Sequence, residues 1–190
     1  MTIIVAARLA NGHVCMAADS QTSIGWEKAE HDASKLWTAG QYAIGAAGDV
    51  RAAQVVRHFT TWPKFRPEED TDTEAFLVKS IVPAIRTAVA DAGVQVVNSS
   101  AESVRTTFAV CWAGNVAMVH GNYAVTIPRS GRLAIGSGSA EALGYLGESG
   151  PWTVKQVVEA ARRATITADG CSGDIDHVVT GDLKLNRPSA

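Results

Sequence analysis

A chain of 190 residues with 46% hydrophobic and 19% charged side chains and a formal net charge of −2 falls in the size range of one ordinary domain, about 100–200 residues, and has the composition of a folded globular protein. The apolar content excludes disorder, and the absence of net positive charge excludes a general nucleic-acid-binding role. No run approaches the ~20 apolar residues of a membrane span, and the opening Met-Thr-Ile-Ile-Val-Ala-Ala-Arg has no basic leader before its apolar run. The expectation is a single domain over residues 1–190, cytoplasmic, with neither nucleic acid nor a membrane as partner.

Cys15, Cys111 and Cys171 are odd in number and widely spaced, which fits neither a disulfide framework nor a Cys-x-x-Cys knuckle. The first two read as buried apolar residues. His13, His31, His58, His120 and His177 show no ligand spacing, so no metal or other cofactor is expected.

In chain order, Ile3 to Leu9 and His13 to Ala18 are short apolar runs flanking Asn11-Gly12, a dipeptide that favours a type I′ hairpin. Strand 1 runs away from Thr2 and strand 2 returns to Asp19, so the two residues become neighbours at the open end. Lys35 to Thr38 and Gln41 to Gly45 form a second hairpin turning at Ala39-Gly40, and Gly45-Ala-Ala-Gly48 leads into a helix from Val50 to Thr61 that shows Val55, Val56 and Phe59 at helical spacing. Thr71-x-x-Glu74 resembles a capping box opening a long helix to about Ala92, with Phe76, Leu77, Ile81, Ile85 and Val89 on one face and a kink at Pro83. A third hairpin pairs Thr106 to Ala113 with Val116 to His120 around Gly114-Asn115, and a strand at Leu133 to Ile135 ends in Gly136-Ser-Gly138. A short helix near Ala140 to Leu146, a capped helix from Thr153-x-x-Gln156 to Thr167, the loop Asp169-Gly-Cys-Ser-Gly-Asp174 and a strand at His177 to Thr180 complete the chain. Strands, two helices, strands, two helices and a strand make an α+β pattern. Its natural packing is a four-layer αββα sandwich of two antiparallel sheets flanked by helices.

Seven segments in order, Thr2-Ile-Ile-Val, Asn11-Gly-His-Val, Ala18-Asp-Ser-Gln-Thr22, Ser34-Lys-Leu-Trp37, Gly45-Ala-Ala-Gly48, Ala134-Ile-Gly-Ser-Gly138 and Asp169-Gly-Cys-Ser-Gly173, resemble the proteasome β-subunit family, most of all its bacterial HslV-like and Anbu-like members. The resemblance spans nearly the whole chain. It implies an N-terminal-nucleophile hydrolase with the four-layer fold, in which an N-terminal threonine cleaves peptide bonds. Thr2 matches the nucleophile, exposed once Met1 is removed. Lys35 matches the adjacent lysine, Asp19 its counter-charge, and Gly48 the glycine whose backbone N–H faces the oxyanion. Ser137, Asp169 and Ser172 match the supporting hydrogen-bond network. The match departs at Asp49, where the family often has a small residue, and in the first hairpin, where Thr2 and Asp19 are 17 positions apart and the family's commonest spacing is one shorter.

The chemistry has its own logic. A threonine hydroxyl is a weak nucleophile until a base takes its proton, and a free α-amine, with a pKa near 7.7–8.0, suits that task at neutral pH. A cation beside the hydroxyl favours its ionised form, and a buried cation needs a carboxylate. Cys171 lacks spaced His and Asn partners and reads as a small loop residue. The leading function is a threonine-type endopeptidase subunit of a self-compartmentalising, homo-oligomeric ring that takes peptides or unfolded proteins, with an ATP-dependent unfoldase as a possible partner. The alternatives are a small-molecule amidase of the same chemistry and a catalytically silent scaffold subunit.

Overall fold

The first two strands read as unbroken apolar runs because both of their faces are buried. Strand β1 (Ile3–Arg8) sends Ile4 and Ala6 into a core shared with a second sheet, and Ile3, Val5 and Ala7 into a core shared with helices. Strand β2 (Val14–Asp19) divides its side chains in the same way, Val14, Met16 and Ala18 to one side and Cys15 and Ala17 to the other. Ile3 and Ile4 have no exposed surface, and at about 1.5–3 kcal/mol each their burial pins the start of β1. The computed structural model describes residues 2–24, 27–30, 34–98, 101–168 and 171–187.

Further along lie β3 (Gln21–Ile24), β4 (Glu27–Glu30), β5 (Leu36–Ala39), β6 (Tyr42–Gly48) and helix α1 (Val50–Phe59). Helix α2 (Thr73–Phe76) continues through a wide π turn at Leu77–Ile81 into α3 (Val82–Asp91). Then come β7 (Val96–Asn98), β8 (Ala101–Ser103), β9 (Thr106–Trp112), β10 (Asn115–Val119), β11 (Val125–Thr126), β12 (Arg132–Gly136), α4 (Ser139–Leu146), α5 (Val154–Thr167) and β13 (Ile175–Val179). Of the two large sheets, one has the order β12-β1-β2-β13 and the other β11-β10-β9-β6-β5, while β3–β4 and β7–β8 form separate two-stranded sheets, with antiparallel pairing throughout. Helices α4 and α5 cover the outer face of the first through Ala142, Val157, Ala160, Ala161 and Ala164. Val55 and Val56 of α1 and Leu77, Ile81 and Ile85 of the α2–α3 segment cover the second, on Tyr42, Ile44 and Trp112. This is the expected αββα sandwich. No helix among the described residues is long and apolar enough to cross a membrane.

Cys15 and Cys111 are fully buried, and desolvation pushes the Cys15 thiol up to about 12 and raises that of Cys111 as well. Thr153 and Gln156 form the expected capping box of α5.

Several local expectations shift. Asn11-Gly12 is not a type I′ turn: the Leu9 N–H donates to the His13 carbonyl at 2.7 Å and the Gly12 N–H to the Leu9 carbonyl at 3.0 Å, and of the loop residues only Gly12 has positive φ, at 82°. The hairpin therefore closes through Ala10, Asn11 and Gly12, the pattern of a type I turn followed by a left-handed residue. The type I′ turn occurs at Ala113-Gly114, whose φ angles are 42° and 78°, one residue before the expected position. There the two turns touch, and a Cβ on Gly114 would meet the Gly12 carbonyl oxygen at 2.6 Å. Gly45 to Gly48 lead into α1 as expected, but they also extend strand β6, because pairing with β9 runs as far as Gly48↔Thr106. Phe59 is 72% exposed, whereas Trp62 and Phe65 pack onto Tyr42, Trp112 and Phe76 within the chain. Helical spacing put Phe59 on the buried face, but it occupies the last turn of α1 and lines an open groove beside Pro83, Ala84 and Ala88 of α3. Pro83, in the first turn of α3, follows the π turn. Its ring cannot sit over the preceding carbonyl of a regular helix, and the wider turn accommodates it.

The long helix is capped by Asp72, whose side chain accepts from the Ala75 N–H at 3.0 Å, and not by Thr71. Asp72→Ala should therefore lower stability by about 1 kcal/mol and Thr71→Ala by less than about 0.5 kcal/mol, read as shifts in the urea midpoint at constant slope. Equal losses would contradict the assigned cap.

Candidate active site

Thr2 leads into β1, which is held on one side by β12 with Ile3 opposite Gly136 and on the other by β2 with Ile4 opposite Ala18. This pairing brings Asp19, the last residue of β2, beneath the chain start. Its Oδ1 accepts the backbone N–H of Ile3 at 2.9 Å and the Lys35 ammonium at 2.8 Å. Lys35 precedes β5 in the other sheet, so the ion pair ties the two sheets together at the Thr2 end. The Asp19 side chain has no exposed surface and that of Lys35 only 10%. Burial pushes the Asp19 carboxyl above the usual carboxylate range, opposed by the Lys35 charge and by the amides of Ile3 and Ser172. Ionising Asp19 thus costs folding energy. Its contribution is most favourable below the ordinary carboxylate pKa and is lost as pH rises through the raised value.

The other side of Thr2 is formed by the turn after β12. Gly136 has φ of 94°, and a Cβ there would run into the Thr2 carbonyl, so only glycine allows the two chains to close. Ser137 Oγ donates to that carbonyl at 3.4 Å and lies 3.3 Å from Cys171 Sγ. Ser172 Oγ donates to the Gln21 side-chain oxygen, and the Gln21 N–H returns a bond to the Ser172 carbonyl at 3.1 Å. Gln21, 2% exposed, is the residue that sequence reasoning missed. Its available signal was alternation, which places Gln21 on the same side of the chain as Asp19 two residues earlier.

Gly48 ends β6 with φ of 137°, where a Cβ would overlap the Arg105 carbonyl. Strand alternation faces its N–H to the side on which Ala46 N–H donates to the Lys35 carbonyl at 3.3 Å, away from β9 and past the start of β5. Thr2, Gly48 and Ser137 share a cleft of about 480 Å³ between the sheets, which extends to Met118, His120 and Ile135.

No protein-family model matches the chain, and no curated protein matches it in sequence. Solved structures do match. BPH of Thiobacillus denitrificans superposes with a TM-score of 0.73 at 20% identity, covering 94% of this chain and 97% of that one. A eukaryotic HslV from Trypanosoma brucei gives 0.66 at 23% identity, covering 94% and 98%. A Gly-1 mutant of Anbu from Hyphomicrobium sp. strain MC1 gives 0.64 at 18% identity, covering 100% and 88%. The chain has the proteasome-like fold.

Within that fold the expected residues Thr2, Asp19, Lys35, Gly48, Ser137 and Ser172 gather around one strand end. Asp169 and Met1 lie outside the described residues. The extra residue between Thr2 and Asp19 requires no strand bulge, because β1 and β2 pair without interruption from Ile4↔Ala18 to Arg8↔Val14. Asp49 departs from the family pattern because it caps α1, accepting the Ala52 N–H at 3.0 Å, while its own N–H donates to the Arg105 carbonyl at 2.9 Å. Cys171 is more than a spacer, since its thiol touches Ser137. Burial raises that thiol's pKa, the opposite of what a nucleophilic cysteine needs.

A buried pair that loses one partner leaves an uncompensated charge. Lys35→Met should cost about 3 kcal/mol or more at pH 7, and the double variant Asp19→Asn/Lys35→Met should be more stable than Lys35→Met alone. Urea denaturation of all four proteins checks this. Simple addition of the two single losses would mean that the charges are uncoupled.

Proposed function

We propose that the protein is a threonine-type peptidase subunit whose nucleophile is Thr2, freed by removal of Met1. The observation that carries this reading is the joint hold of Asp19 on Lys35 and on the Ile3 N–H. Through it a buried carboxylate fixes a cation and the backbone directly after Thr2 in one position. An ordinary surface hairpin has no use for such a charge pair.

The steps follow from the groups present. The Thr2 hydroxyl adds to the scissile carbonyl carbon while its proton passes to the Thr2 α-amine. Lys35 favours the developing alkoxide electrostatically and disfavours protonation of the amine before attack. Negative charge collects on the carbonyl oxygen, which the Gly48 N–H faces. The C–N bond then breaks, the ammonium returns the proton to the departing amine, and an ester to Thr2 remains. Water hydrolyses the ester with the α-amine again as base. Ser137 and Ser172 hold the chain ends around the amine. Gln21 fixes Ser172, and Asp169 belongs to the same network by resemblance.

Enclosure completes the proposal. Subunits assemble as homo-oligomeric rings that confine Thr2 and admit peptides or unfolded chains, with an ATP-driven unfoldase as the class of partner that would deliver folded proteins. Exposed Phe59 beside a groove lined by Pro83, Ala84 and Ala88 supports association through the α1–α3 face.

Mass spectrometry of the mature protein should find Thr2 at the N-terminus, and Thr2→Ala should lower peptide turnover at least about a thousandfold without loss of fold. Lys35→Arg should not restore the activity lost in Lys35→Ala, because a planar guanidinium does not fit the position of a compact ammonium. Undiminished turnover by Thr2→Ala would remove the mechanism. A light-scattering mass equal to a single chain would remove the ring.

A further inference from the structure

The cleft beside Thr2 is lined by small, apolar and hydroxyl-bearing residues with one exception. Met118, Ala134 and Ile135 form apolar walls and Thr107 adds a hydroxyl, whereas His120, just past the end of β10, contributes an imidazole. Among the described residues, no carboxylate and no other basic side chain lines this space. The ring is oriented, since Nε2 lies 2.8 Å from Thr126 Oγ1. The backbone is fixed as well, with the His120 N–H donating to the Ala124 carbonyl and the Tyr123 N–H to the His120 carbonyl, both at 2.8 Å. The cleft's volume of about 480 Å³ falls within the ~300–1,000 Å³ of sites that enclose a small ligand or a few residues of peptide.

We propose that His120 determines specificity in this cleft, pairing as an imidazolium with a carboxylate side chain of the bound peptide and so selecting acidic over neutral and basic sequences. The inference deepens the peptidase reading and rests on it. Its physical basis is the composition of the wall. Away from the Thr2 end, a carboxylate entering the cleft finds among the described residues one side chain able to carry positive charge, and a lysine or arginine finds no counter-charge there and loses hydration for nothing. A neutral side chain is tolerated by the apolar walls.

Histidine changes charge between about pH 5 and 8, so the selection is graded by pH. Thr107 from β9, Met118 from β10, Thr126 from β11 and Ala134 and Ile135 from β12 do not titrate in that range. Tyr123, on the turn after β10, is raised by burial and feels Arg86 and Glu102, which are paired with one another. The α-amine of Thr2 would titrate in the same range at the other end of the cleft, and its effect persists in His120→Gln.

The test uses matched fluorogenic peptides that differ only in carrying Glu or Gln at each position flanking the scissile bond in turn, with wild-type protein and His120→Gln, at pH 5.5 and 8. At one position the Glu/Gln ratio of kcat/KM should fall about three- to fivefold from pH 5.5 to 8 in the wild type, the worth of a partly exposed charge pair, and should be flatter and lower in His120→Gln. Each ratio divides out the α-amine's role as base, and the comparison with His120→Gln removes the effect of its charge. In parallel, the Cε1–H resonance of His120 in Thr2→Ala protein is titrated with and without the Glu peptide, and its midpoint should rise on binding. Turnover with the same ratio in both proteins, or a midpoint that the peptide does not move, overturns the assignment of His120. A raised midpoint in Thr2→Ala with no turnover of any peptide by the wild type supports His120 and overturns the peptidase reading.

Discussion

The buried ion pair between Asp19 and Lys35 is the constraint on which the rest of this site depends. A carboxylate without exposed surface is held at 2.8 Å from an ammonium and at 2.9 Å from the Ile3 N–H. Desolvating either charge costs several kcal/mol, and the cost is offset only while the two charges and the amide stay in register. The register joins three sequence-remote pieces, the start of β1, the end of β2 and the approach to β5. Burial nonetheless raises the Asp19 carboxyl, so stability is spent here on position. This is the arrangement expected where a site must be preorganised.

Around this pair, small residues decide what can approach Thr2. Gly136 brings the turn after β12 against the Thr2 carbonyl, and Gly48 lets β6 close on Arg105. Between them the two sheets part into the cleft that ends at His120. Away from this opening Ile4, Met16, Leu36, Ala109 and Val178 pack together in the core between the sheets. An opening at Thr2 therefore reflects the lack of large side chains at Ala47, Gly48, Ala134 and Gly136, where a bulkier residue would fill the space.

The resemblance and the structure carry different weight. At identities of 18–23% the solved structures speak for the fold, and an unrelated activity can occupy a shared fold. The functional reading rests instead on the site: a charge pair inside the protein, a backbone N–H directed to the open side and a cleft at a strand end. Gln21 belongs to this site through Ser172, and Cys171 through Ser137.

Local chemistry determined most of the elements. Continuous apolar runs gave β1 and β2, the Thr153 and Gln156 pair gave the start of α5, and the face carrying Phe76, Ile81, Ile85 and Val89 gave the long helix. The spacing of Asp19 and Lys35, 16 positions, was legible as well. Those features are periodic or nearest-neighbour properties, so a single chain displays them. Only the tertiary structure decided that β12 lies beside β1 and β13 beside β2, that the type I′ turn falls at Ala113-Gly114, and that Phe59 faces outward while Phe65 does not. It also decided that Gln21 meets Ser172 and that His120 shares a cleft with Thr2. These are contacts between segments up to 151 positions apart. They are fixed by how two sheets stack and where their edges part, and no local pattern encodes that geometry.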